Sequence, residues 1–183
     1  MRHTFVALVE DKPGVLNRVV SVFRRRNFNI ESLTVGHTHQ VGISRITIVV
    51  DSDQTEVERI MPYMYKLINV LQVEDLTHTA RVSRDLAMVK VNATTENRSA
   101  IMQFAEVFRA RIVDVGNDSL IIEITGDEEK VNGFVDVLRP YGIIEMVRTG
   151  IIAMERGTST LLNNMAETQN IELPIEYKMA SGN

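Results

Sequence analysis

The chain has 183 residues, enough for one ordinary domain or two small ones, and its 44% apolar and 24% charged content is that of a globular protein. Lys and Arg number 20 against 24 Asp and Glu, and the net charge of −4 argues against a general nucleic-acid binder. No cysteine is present, which removes disulfides, thiol catalysis and Cys-ligated zinc, and no apolar run approaches the ~18 residues that a membrane span needs. The first apolar run stops at Glu10-Asp11, too short for a signal peptide. The expectation is a cytoplasmic protein without a membrane partner.

In chain order, residues 3–10 read as a strand that runs into Lys12-Pro13-Gly14. Residues 15–26 read as a helix, with Val15, Leu16, Val19, Val20, Val22 and Phe23 on one face. Arg24, Arg25 and Arg26 fall in its last turn, where cations suit the helix dipole, and Asn27 suits a left-handed cap. Strands follow at 28–36 and 42–51, joined by a turn-like stretch with Gly36 and Gly42 at its ends. Asp53 and Glu56 have capping-box spacing for a helix at 54–68, and a fourth strand is expected at 70–79. The order β-α-β-β-α-β is the ferredoxin-like pattern.

That order then recurs. A strand at 85–94 leads to a helix at 97–110, strands at 111–116 and 119–125 around an Asn117-Asp118 turn, a helix at 127–139 capped by Asp127, and a strand at 142–149. The seam falls near Arg81-Val82-Ser83-Arg84. The fold class is therefore α+β, with two consecutive ferredoxin-like domains at 1–80 and 81–157, and a polar tail at 158–183 with partial helix or disorder.

The helix entry at Gly14 bears on function. It lacks a capping side chain, so it leaves backbone N–H groups free under a residue that lets a ligand approach, and such an end binds anions. Asn29 offers an amide oxygen to an ammonium group, so the pair suits a free amino acid. In the usual 4-1-3-2 sheet order, strand 28–36 is an edge, and Ile30, Leu33 and Val35 on it invite pairing with a second copy. A two-fold dimer through that edge brings Asn29 of one chain toward Gly14 of the other.

Other motifs have plainer readings. His37 and His39 read as polar hairpin residues, with no third ligand near them in sequence. The arginine triplet reads as a solvated helix end, since the aromatic strand motif of RNA-binding modules is absent. Asp51 with Asp53, and Glu128 with Glu129, sit at helix starts, where capping explains them. No G-x-S-x-G, P-loop, G-x-G-x-x-G or H-E-x-x-H occurs, so no catalytic residue is assigned.

The stretches Glu10-Asp11-Lys12-Pro13-Gly14-Val15-Leu16, Asn29-Ile30-Glu31-Ser32-Leu33 and Ser44-Arg45-Ile46-Thr47-Ile48 resemble the ACT domain of the regulatory, small subunits of acetolactate synthase (acetohydroxyacid synthase). Arg84-Asp85-Leu86, Val89-Lys90-Val91, Phe108-Arg109-Ala110, Ile112-Val113-Asp114-Val115, Glu123, Thr125-Gly126, Arg148-Thr149-Gly150 and Arg156-Gly157 are similar to that family's C-terminal domain. The resemblance implies a non-catalytic subunit that activates a catalytic large subunit and confers feedback inhibition by valine in branched-chain amino-acid biosynthesis. It implies no cofactor in this chain, with thiamine diphosphate, FAD and Mg²⁺ in the large subunit. Carried over by position, Gly14, Val15 and Leu16 offer N–H groups to the valine carboxylate. Asn29 and Ile30 of a partner chain hold the ammonium and close the pocket, and Val35 covers the isopropyl group. Asp11 departs from the Asn common at that position and bears on effector preference. A stand-alone amino-acid sensor with another partner, and a small enzyme of this fold, are the alternatives.

Overall fold

The computed structural model describes residues 1–53, 59–158 and 161. The chain forms two compact units, Met1–Val82 together with the segment from Ala153, and Ser83–Ile152.

In the first unit, β1 (Arg2–Glu10), α1 (Val15–Arg25), β2 (Ile30–His37), β3 (Ile43–Asp51), α2 (Ile60–Met64) and β4 (Val70–Asp75) build a sheet of order β2-β3-β1-β4. This is the expected ferredoxin-like topology, with β2 at an edge. Central β1 is buried without a break from His3 to Val9, because both faces of the sheet are covered there. Phe5, Ala7 and Val9 join Ile46, Ile48 and Val50 beneath Val19 and Phe23 of α1 and Ile60 and Met64 of α2. Val6 and Leu8 point the other way, into a cluster with Leu76, Ala153 and Leu161.

That second cluster brings the chain back to the first unit at Ala153, within the second domain expected at 81–157; the Ala153 methyl group is buried beside Val6 and Leu8. Leu161, in the segment expected to be a polar tail, is 5% exposed in the same cluster. The remainder of the tail beyond Thr158 lies outside the described residues, as do Glu56 of the expected capping box and the start of the helix expected at 54–68. The described part of that helix is short. After Met64 the chain enters turns closed by the Leu67 N–H on the Met64 carbonyl at 3.1 Å and the Val70 N–H on the Leu67 carbonyl at 3.0 Å. The strand expected at 70–79 stops at Asp75, whose carboxylate turns back to accept the Thr77 N–H at 2.8 Å.

In the second unit, β5 (Arg81–Asn92), α3 (Arg98–Val107), β6 (Arg111–Val115), β7 (Ser119–Gly126), α4 (Glu128–Leu138) and β8 (Ile143–Arg148) repeat the pattern in the order β6-β7-β5-β8. A further strand, β9, covers Ile152–Glu155. Val89, Val91, Ile122 and Ile124 pack beneath Ile101, Ala105, Phe134 and Leu138. The Asp127 carboxylate accepts the Lys130 N–H at 2.9 Å and caps α4, and the Gly116 N–H donates to the Ser119 carbonyl at 2.9 Å across the Asn117-Asp118 turn. Among the described residues no helix is long and apolar enough to cross a membrane.

Candidate functional site

The β1–α1 junction is held by its own backbone. Pro13 supplies a fixed φ, and Gly14 lies at φ 82°, ψ −6°, a left-handed conformation that costs other residues about 1–2 kcal/mol. A Cβ built on Gly14 meets no atom within 4 Å, so the space above the helix entry is open. No side chain caps the helix. The Arg18 N–H makes the first helical bond, to the Gly14 carbonyl at 3.1 Å. The N–H groups of Leu16 and Asn17 therefore have no partner within the helix. Val15 differs from expectation: its N–H donates to the Lys12 carbonyl at 3.3 Å and its side chain is buried in the core. Of the three expected donors, Val15 is engaged in the turn, while Gly14 and Leu16 lie at an accessible surface.

The strand register sets what surrounds this entry. Val9 faces Ser44 of β3, which faces His37 of β2, so the end of β1 and the end of β2 lie in one row. The Asp11 carboxylate accordingly lies 3.4 Å from His37 Nδ1, and the Asp11 N–H donates to the Gly42 carbonyl at 2.8 Å. His37, read from sequence as a hairpin residue, thus borders the junction. Pairing of β2 with β3 would have revealed it.

Asn29 and Ile30 lie at the opposite end of β2. Ile30 is half-buried opposite Val50, and Asn29 is exposed. Eight residues of strand separate the Ile30 end from the His37 end, a distance of roughly 23 Å at about 3.3 Å per residue. One chain therefore brings Asp11, Gly14 and Leu16 together but keeps Asn29 and Ile30 away from them. Val35 lies between, opposite Ile46 on the helix-facing side of the edge strand, and is 44% exposed.

A second polar group braces the junction from the side. The Glu10 N–H donates to the Asn69 carbonyl at 2.9 Å, and Asn69 Nδ2 donates to Glu10 Oε2 at 2.5 Å. Arg18 donates to Asn69 Oδ1, and Lys12 Nζ lies 3.0 Å from the same Glu10 oxygen. The hydrogen bond from Lys12, then that from Asn69, holds the Glu10 carboxyl below its ordinary value.

The second unit has a corresponding helix entry at the start of α3. There the Arg98 guanidinium donates to the carbonyls of Ala93 and Gly116, each at 2.9 Å, and to that of Asn117. The repeat keeps the fold, with Asn97 rather than a glycine at the N-cap position and again no side-chain cap.

Two family models match the chain. Residues 5–72 match the "AHAS small subunit-like ACT domain" and residues 84–157 match the "Small subunit of acetolactate synthase". The chain is 52% identical over 157 residues to a probable acetolactate synthase small subunit of Archaeoglobus fulgidus, covering 86% of this chain and 98% of that one. It is 42% identical over 159 residues to the acetolactate synthase small subunit of Bacillus subtilis, covering 86% and 92%. Among solved structures it is similar to the acetolactate synthase small subunit from Thermotoga maritima, with a TM-score of 0.80 and 40% identity over 87% of this chain and 99% of that one.

Proposed function

From the premise that this chain belongs to the acetolactate synthase small-subunit family, with a regulatory role in branched-chain amino-acid biosynthesis, we propose that it senses valine at a site shared between two copies and passes that signal to a catalytic large subunit. The observation that carries the proposal is the placement of the two half-sites at opposite ends of one edge strand. Antiparallel pairing of β2 with β2 of a second copy sets the Asn29 end of one strand beside the His37 end of the other. Asn29 and Ile30 then stand over the open Gly14 entry of the neighbouring chain.

Each half supplies what the other lacks. The N–H groups at the start of α1 donate to a carboxylate, aided by the helix dipole. The Asn29 amide oxygen accepts from an ammonium, and Asp11, beside the Gly14 entry and 3.4 Å from His37, bears on which amino acid is preferred. Val35 on the paired edges supplies apolar cover for the isopropyl group. Inhibition then follows from linkage: valine favours whichever arrangement of the complex presents the closed site, and couplings of this kind are typically about 1–3 kcal/mol. Carboligation itself is assigned to the large subunit, and its thiamine diphosphate, FAD and Mg²⁺ lie there rather than in this chain.

Reconstitution tests this reading. The chain, mixed with an acetolactate synthase large subunit, should raise pyruvate condensation and make it valine-sensitive. Gly14→Asp should keep the activation and abolish the sensitivity, because the new carboxylate occupies the ligand carboxylate's place without meeting the core. Unchanged valine inhibition in that variant would sink the site assignment.

A further inference from the structure

The bracing group beside the Gly14 entry consists of residues far apart in sequence. Asn69 lies 59 residues after Glu10 and 51 after Arg18, in the turn that precedes β4. Its backbone carbonyl and its side-chain amide both engage Glu10, the last residue of β1, while its side-chain oxygen accepts from Arg18, one turn inside α1. A single half-buried side chain therefore ties the strand that enters the turn to the helix that leaves it. Lys12, within the turn, completes the clasp on Glu10 Oε2.

Such a tie matters because the turn is intrinsically adaptable. Gly14 has no side chain to restrict it, and the donors of Leu16 and Asn17 bind an anion well only when they are already aimed together. The core holds α1 by Val15, Val19 and Phe23, and no side chain caps the N–H groups of its first turn.

We infer that Asn69 is the positioning residue of the effector site, fixing the Gly14 turn by clasping Glu10 to Arg18 without touching the effector. The inference rests on the proposed valine site. It also assigns Glu10 a role in the pH dependence of sensing. The clasp needs the ionised carboxylate, and the bonds from Lys12 and Asn69 depress the Glu10 pKa in the folded chain. A depressed carboxyl keeps its contribution above the ordinary value and loses it as pH falls through the lowered one. The other charged groups facing Glu10 are Lys12 and, through Asn69, Arg18.

The test is calorimetric titration of the full chain with valine across the acid-to-neutral range, with thermal unfolding as the check on folding. Asn69→Ala should weaken valine binding by roughly three- to tenfold at neutral pH, the worth of one organising hydrogen bond. It should also move the acid fall-off of affinity upward, toward the ordinary carboxylate value, because one of the bonds that lowers Glu10 is gone. A purely structural residue would leave that midpoint in place. Glu10→Gln, nearly isosteric, supplies the second arm: its valine affinity should lose the acid fall-off that wild type shows. Wild-type affinity and midpoint in Asn69→Ala, or an unaltered acid fall-off in Glu10→Gln, would overturn the clasp. Failure of the wild-type chain to bind valine, or normal binding by Gly14→Asp, would instead remove the site on which the clasp acts.

Discussion

At the residue scale, Asn27 at φ 59° and Arg109 at φ 52° adopt left-handed backbone without being glycine. Each ends a helix in the same way. The Asn27 N–H donates to the Arg24 carbonyl and the Phe28 N–H to the Phe23 carbonyl, both at 3.1 Å. The Arg109 N–H donates to the Glu106 carbonyl at 3.0 Å and the Ala110 N–H to the Ala105 carbonyl at 2.7 Å. These are matching Schellman caps, and the first adds an edge-on contact of Phe23 with Phe28 at 6.5 Å. Asn27 was readable as a cap because Asn tolerates this region, whereas Arg carries no such signal and Arg109 was read simply as part of a helix. Arg109→Gly should therefore stabilise the second unit by about 1 kcal/mol by relieving the left-handed strain, seen as a higher denaturation midpoint. A fall in that midpoint would mean that the Arg109 side chain does more than its backbone costs. Gly14 was equally readable, since Pro-Gly between a strand and a helix has few conformations. The Asn69 clasp was not readable, because it depends on how β1 and β4 pair, and that register shifts at Leu8/Val9.

At the element scale, the proposed site depends on β2. It stands at the edge of the described sheet, and Val35 on it is left 44% exposed. Its length sets the separation between the Gly14 entry and Asn29, which is why the proposed site takes its two halves from two chains. Val35→Lys should blunt the edge, shift the chain toward monomer in sedimentation, and weaken valine binding along with dimerisation. A variant that remains dimeric and binds valine as wild type does would place the interface elsewhere. The strands and α1 were readable from their periodicity because each has one clearly buried face. The helix expected at 54–68 ends earlier in the structure, because the Met64–Leu67 turn that closes it carries no Gly or Asn and Asn69 follows only after it.

At the scale of the whole molecule, the chain uses one fold twice. Both units share the 4-1-3-2 order and the same helix C-cap, yet a left-handed Gly14 stands at the first helix entry and Asn97, beside the Arg98 guanidinium, at the second. The division near residue 82 was readable from the repeat of element order. The return of Ala153 and Leu161 to the first unit was not, because it depends on Val6 and Leu8 presenting a second apolar face that a single amphipathic strand would not have. The central claim is that the effector site is built from two chains, and complementation tests it most directly. Gly14→Asp and Asn29→Ala, each unable to bind valine alone, should be mixed, dissociated and allowed to re-pair. Random pairing makes half the dimers mixed, each with one intact site from Gly14 of one chain and Asn29 of the other, so about a quarter of the wild-type valine sites should return. If calorimetry finds no restored binding in the mixture, the site lies within a single chain and the account fails.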